Sequence, residues 1–141
     1  MVPMRQEHLE YLAANARPDE VAQWEYFQGR AYAPSDVVAY VRLHQGPAFC
    51  VLADGVPVAA GGYFYVAPGR WSSWMIGTME GWALHWRSIT KAARWMMWAM
   101  FQTGAQRLET LVQPSREKTC EWYIRALGLK RETDSLYVRA V

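Results

Sequence analysis

Asp54-Gly55 lies in the middle of "AFCVLADGVPVAAGGYFYV", residues 48 to 66. Two runs rich in β-branched and aromatic residues flank a dipeptide whose members both tolerate positive φ, as a two-residue hairpin turn requires. This fixes an antiparallel strand pair near the centre of the chain. The flanking sequence must extend that pair and cover its faces. Gly61-Gly62 inside the second run marks a bulge or a close backbone approach. "RWSSWMIGTMEGW" then reads as a third strand reaching residue 80 or so, with small residues where it can bulge.

The opening third is helical. Residues 4–15 carry Leu9, Leu12 and Ala13 at helical spacing, and Arg17-Pro18-Asp19-Glu20 starts a new helix, with proline and acids suited to a first turn. "APSDVVAYVRLH" repeats the pattern, with Ser35 as candidate N-cap. Beyond the strands, "HWRSITKAARWMMWAMFQTG" is a long helix ending at Gly104. It puts Trp86, Ile89, Ala93, Met96, Met97 and Met100 on one face and Arg87, Lys91 and Arg94 on another. "RLETLVQP" is a strand, "SREKTCEWYIRALG" a helix closed by Gly128, and "LKRETDSLYVRAV" one or two strands with a turn near Thr133 to Ser135. The order α-α-β-β-β-α-β-α-β-β defines an α/β (α+β) fold with a mixed sheet in one domain spanning residues 1–141.

Several function classes lack a foothold. A net charge of +2 is too mild for a dedicated nucleic-acid reader. Cys50 and Cys120 show no zinc or disulfide-framework spacing, so reduced, buried thiols and no metal are expected. The longest uninterrupted apolar run, Trp95 to Phe101, is far below a membrane span, and a soluble protein of a reducing compartment is expected. His8, His44 and His85 share no spacing. No Ser-His-Asp set, phosphate-binding P-loop or HExxH motif occurs. Trp71, Trp74, Trp82, Trp86, Trp95 and Trp98 make six of the eight tryptophans. Because Trp86, Trp95 and Trp98 cannot share one helix face, some must remain near the surface, where they suit a partner contact or simply rim an aromatic core.

The element order, with a short helix leaving through Ala-Leu-Gly-Leu, resembles the GNAT superfamily of acyl-CoA-dependent N-acyltransferases over nearly the whole chain. More narrowly, "DGVPVAAGG", the Trp-rich third strand, the basic helix face and "YIRALGLK" look like the GNAT-like internal virion protein A group of short-tailed phages. The superfamily resemblance implies a mixed, mostly antiparallel sheet flanked by helices. It also implies a glycine-rich pyrophosphate loop, which falls on "LHWRSI", residues 84–89. That segment has no glycine, and Arg87 and Ser88 remain as side-chain donors. Met75, Gly77 and Met79 would meet the pantetheine arm. Glu80, with His85 behind it, is the candidate base for the amine. Aligned on Gly128, the family's proton-donor tyrosine falls on Ile124, so Tyr123 is expected to pack in the core, and Glu117 replaces the usual Asn at the helix start.

Three functions follow from this resemblance. The first is a phage virion or assembly protein that has lost ordinary acyl transfer and needs no cofactor, acting through other virion proteins in the particle or host cytoplasm. The second is a divergent acetyl-CoA-dependent N-acyltransferase acting on an amine, cytoplasmic if the chain is not from a phage. The third is a small DNA-contacting factor using the Arg87, Lys91 and Arg94 stripe.

Overall fold

The computed structural model describes residues 1–44 and 46–141. In chain order the elements are β1 (Val2–Pro3), α1 (Gln6–Ala14), α2 (Pro18–Gln28), α3 (Pro34–Leu43), β2 (Ala48–Ala53) and β3 (Val56–Ala67). They continue with β4 (Arg70–Gly77), α4 (Met79–Gln102), β5 (Arg107–Leu111), α5 (Glu117–Arg125), β6 (Lys130–Arg131) and β7 (Leu136–Ala140). One seven-stranded sheet in the order β1-β2-β3-β4-β5-β7-β6 runs through the molecule. Its neighbours are antiparallel except β4 and β5. This is the mixed, mostly antiparallel sheet expected, with three helices formed by the three helical segments of the opening third and the short β1 added.

The β2–β3 hairpin turns at Asp54 (φ 50) and Gly55 (φ 78). Gly61 and Gly62 pair in register with β2 and β4, so they are not a bulge. They are close approaches: a Cβ on Gly62 would lie 2.5 Å from the Pro47 carbonyl oxygen and 2.8 Å from Trp74 Nε1. The register shifts fall instead at Val51/Leu52 and at Tyr65/Ala67.

The alternation of β2, β3 and β4 sends side chains to two covered faces. Cys50, Ala60 and Ile76 face α1 and α3, where Leu9 and Leu12 are fully buried, each contributing about 2–3 kcal/mol. Tyr63, Leu108 and Tyr137 face α4 and α5, where Met96, Met97 and Met100 pack with Tyr123 and Leu127. Cys50 is buried and Cys120 half-buried, both as free thiols.

Three local expectations change. α3 begins with Ala33 at the N-cap and Pro34 at the first helical position, placing Ser35 inside the helix with no cap bond. The long helix starts at Met79, six residues ahead of its expected start, because Thr78 Oγ1 accepts the Gly81 amide at 2.9 Å and caps it. Trp86 is not on the buried face. It is half exposed, as are Trp95 and Trp98. None of the described helices is long and apolar enough to cross a membrane.

Candidate active site

The cleft originates in a change of strand pairing. β4 and β5 run parallel through four pairs, from Arg70↔Arg107 to Ser73↔Thr110. β4 then continues to Gly77, held by β3 on one side and, among the described residues, by no strand on the other, while β5 stops at Leu111. A cavity of about 900 Å³ opens there. Ser73, Trp74, Met75 and Ile76 line it from β4, and Thr110 and Leu111 from β5. This volume suits a small-molecule ligand.

One wall is a buried charge cluster at the start of α2. Glu20 occupies the first turn, where the helix dipole favours a carboxylate. Arg17 Nε donates to Glu20 Oε1 at 3.0 Å, and Arg116 Nη2 lies 3.6 Å from Glu20 Oε2 and 3.1 Å from Asp19 Oδ2. Arg116 Nη1 also donates to Gln23 Oε1 at 2.6 Å, and the Gln113 amide donates to the same oxygen at 3.2 Å. Burial raises the pKa of Glu20 above the usual carboxylate range, outweighing the opposing pull of Arg116 and Arg17.

The facing wall is α5. Tyr123 is buried in the core, and its ring also borders the cleft beside Thr110. Burial raises its phenol pKa, opposed by a hydrogen bond with Thr110, so the hydroxyl keeps its proton at neutral pH. Ile124, one residue on, is 44% exposed on the outer surface, in a separate groove with Glu117. The position expected to present a proton donor therefore points away from the cleft, and its neighbour points in, as a rotation of about 100° per residue dictates. Trp122 Nε1 donates to Thr90 Oγ1 at 2.9 Å, tying α5 to α4, and its ring meets Trp82 edge-on at 5.3 Å.

The remaining sequence candidates scatter. Met75 lines the cleft. Gly77 closes the end of β4: its carbonyl accepts the Arg17 amide at 3.1 Å, and the Trp82 indole lies where its side chain would be. Met79 and Glu80 lie in the first turn of α4, exposed and outside the cleft lining. Glu80 was expected on a strand end, but the Thr78 cap makes that segment helical. Residues 84–89 are helical too, interrupted only at His85 (φ −127, ψ 20). Ser88 is exposed and outside the lining, and Arg87 stacks over Trp86 at 5.2 Å beside the cleft rim. The basic stripe is not free along its length, because Arg94 Nε donates to the Ala126 carbonyl at 2.8 Å.

These residues suit a pantetheine arm better than a nucleotide diphosphate. Among the described residues, the β4 edge from Trp74 to Ile76 has no strand partner on the cleft side. Residues 84–89, where the resemblance puts a diphosphate, are a helix carrying Trp86 and Arg87 where a backbone cradle would need glycines. Among the described residues, no group of three or more His, Cys, Asp or Glu could hold a metal.

Arg17, Glu20 and Arg116 escaped the sequence reading as site residues. Asp19 and Glu20 read as ordinary first-turn acids, and the partner that helps enclose them, Arg116, lies 97 positions from Asp19. Only the tertiary fold brings these residues together.

No family model matches the sequence, and no curated protein matches it. Solved structures do match in fold. The GNAT domain of S. lividans PAT superposes with a TM-score of 0.69 at 17% identity, covering 96% of this chain and 85% of that one. Aminoglycoside acetyltransferase AAC(6')-Ib in complex with coenzyme A gives 0.69 at 16%, covering 98% and 92%. An N-acetyltransferase from Staphylococcus aureus Mu50 gives 0.72 at 10%, covering 98% and 95%. The chain has the GNAT fold. Its cleft lies where the parallel β4–β5 pairing ends.

Proposed function

We propose that the chain is a divergent N-acyltransferase that moves an acyl group from a pantetheine thioester to an amine. The observation carrying this reading is the pairing of a buried carboxyl, Glu20, with a buried phenol, Tyr123, on walls of one cleft at the end of the β4–β5 pairing. GNAT-fold neighbours that include a complex with coenzyme A support acetyl-CoA as the donor to try first.

A bound acyl-thioester supplies an activated carbonyl whose C–S bond breaks as the new C–N bond forms. Glu20, its pKa raised by burial, takes the proton that the amine must lose, and Arg17 and Arg116 hold its carboxylate in place. Tyr123, still protonated, gives a proton to the departing sulfur. Arg87, beside the rim, offers the donor's phosphates a side-chain cation in place of a glycine loop.

The internal-virion-protein role rests on the sequence segments quoted for it, and no observation in the cleft adds to it. The DNA-contacting role is weakened by the use of Arg94 as a cap on α5.

The test is thiol release from acetyl-CoA over a panel of primary amines. Tyr123→Phe and Glu20→Gln should each lower kcat by tenfold or more, about 1.4 kcal/mol of barrier. Ile124→Ala should leave the rate unchanged. No thiol release with any amine, or a wild-type rate in Tyr123→Phe, overturns the reading.

A further inference from the structure

The outer face of α4 serves neither the core nor the cleft. Lys91, Arg94, Trp95 and Trp98 are spaced by three and four residues, so they share one side of the helix, and all four are exposed. Trp98 is 58% exposed and Trp95 45%. Phe49 of β2 meets Trp95 edge-on at 5.4 Å, so the exposed part of that indole projects from a fixed position. Met96, Met97 and Met100, on the opposite side, hold the helix in the core.

Charge singles this face out. After Glu80 the helix carries no acid. Arg139 of β7 lies alongside, its guanidinium 6.0 Å from the Phe101 ring and its Nη1 donating to the Leu127 carbonyl at 2.8 Å. Arg94 Nε donates to the neighbouring Ala126 carbonyl. Both cations are thus held at the C-terminal end of α5 by carbonyls, which cancel no charge. Among the described residues, Lys91, Arg94 and Arg139 form no ion pair, whereas Arg70, Arg107, Arg125 and Arg131 all do. Two indoles about half exposed therefore stand beside three cations without counter-charges.

Three occupants could meet such a face. A second copy in a two-fold contact would set Lys91 and Arg94 against their like with no acid between them. A nucleic-acid backbone satisfies the cations but presses hydrated phosphates onto the indoles. The boundary of an anionic bilayer answers both demands, because lipid charge lies at the surface, acyl chains lie just beneath, and indoles are favoured between them.

We infer that α4 docks the protein on an anionic phospholipid bilayer, with Trp95 and Trp98 in the headgroup layer and Lys91, Arg94 and Arg139 against the lipid charges. The helix lies on the membrane and does not span it, being neither long nor apolar enough to cross. This docking is independent of the acyltransferase reading.

Co-sedimentation of the full chain with lipid vesicles tests it. Phosphatidylcholine vesicles containing about 30% phosphatidylserine should bind the protein at least about tenfold more tightly than pure phosphatidylcholine. Raising NaCl from about 0.05 to about 0.5 M should release most of it. Lys91→Ala should lower the partition coefficient about fivefold, the effect of one cation near an anionic surface, and Lys91→Arg should leave it unchanged. Trp98→Ser should lower it severalfold, with circular dichroism confirming that the variant is folded. No binding to the anionic vesicles, or equal binding to both kinds, overturns the inference, as does a folded Trp98→Ser protein that binds like the wild type. Tighter binding to a single-stranded oligodeoxynucleotide than to the vesicles, or a dimer that Trp98→Ser dissociates, gives the face to another occupant and also overturns it.

Discussion

The Arg17 guanidinium lies over the Trp82 indole, 4.6 Å from its ring centre, while the Arg17 amide donates to the carbonyl of Gly77. The start of α2, the end of β4 and the first turns of α4 are thereby locked together at the back of the cleft. Gly77 is the position on which this depends.

A Cβ at residue 77 would lie 2.5 Å from Trp82 Nε1, so Gly77→Ala must push the indole aside and away from Arg17. The expected cost is about 1–3 kcal/mol, that of overpacking a filled site. Urea unfolding would measure it, and tryptophan fluorescence should shift. Unchanged stability and emission would show that Trp82 does not rest on Gly77.

Arg116 and Glu20 are both buried, with side chains 6% and 7% exposed. Arg116→Met leaves Glu20 with Arg17 alone and removes one of the two donors to Gln23 Oε1, so a loss of about 3–5 kcal/mol is expected. Adding Glu20→Gln should recover part of it, because the uncompensated charge is then gone. A double-mutant cycle in urea reads the coupling, and simple additivity would refute it.

Burial raises the phenols of Tyr63, Tyr123 and Tyr137, the last to about 12. Unfolded tyrosines titrate near 10, so above that pH the unfolded chain binds fewer protons than the native one. Stability then falls with rising pH. The contribution is complete below about pH 10 and disappears as pH climbs through the raised native values. Glu20 has the same sign at lower pH: its raised carboxyl contributes fully below about 4.5, a contribution lost as pH rises through the native value. Urea midpoints from pH 9 to 12 should decline, and Tyr123→Phe should lessen the slope. A slope untouched by that substitution would remove Tyr123 from the account.

The sequence carried the strands and helices because local chemistry specifies them: Asp54-Gly55 makes its hairpin, and Gly104 (φ 106) follows the end of α4. The α4 boundary was misplaced because the Thr78 cap is a single hydroxyl, and Trp82 to Leu84 prolong the apolar character of the strand. The cleft was less legible. Tyr123 reads as a core residue and lies in the core, while its place on the cleft border depends on the helical register, in which one residue separates the core from the outer surface. Glu20 looked like a surface acid because its burial is produced by Arg116 and by α5, far along the chain.

The parallel seam also has a kinetic meaning. β2–β3 and β3–β4 can each close from a nearby turn, whereas β4 can meet β5 only after the 24 residues of α4 have been laid between them. Loop-closure entropy makes that non-local joining the slow part of folding. The cleft exists only where this joining stops, so we expect a chain that has not made its last long-range contact to have no binding site at all. Substitutions at Ser73 or Thr110 should then slow folding more than they speed unfolding. A ligand held in the cleft would act as a latch on the seam, slowing the escape of the native state.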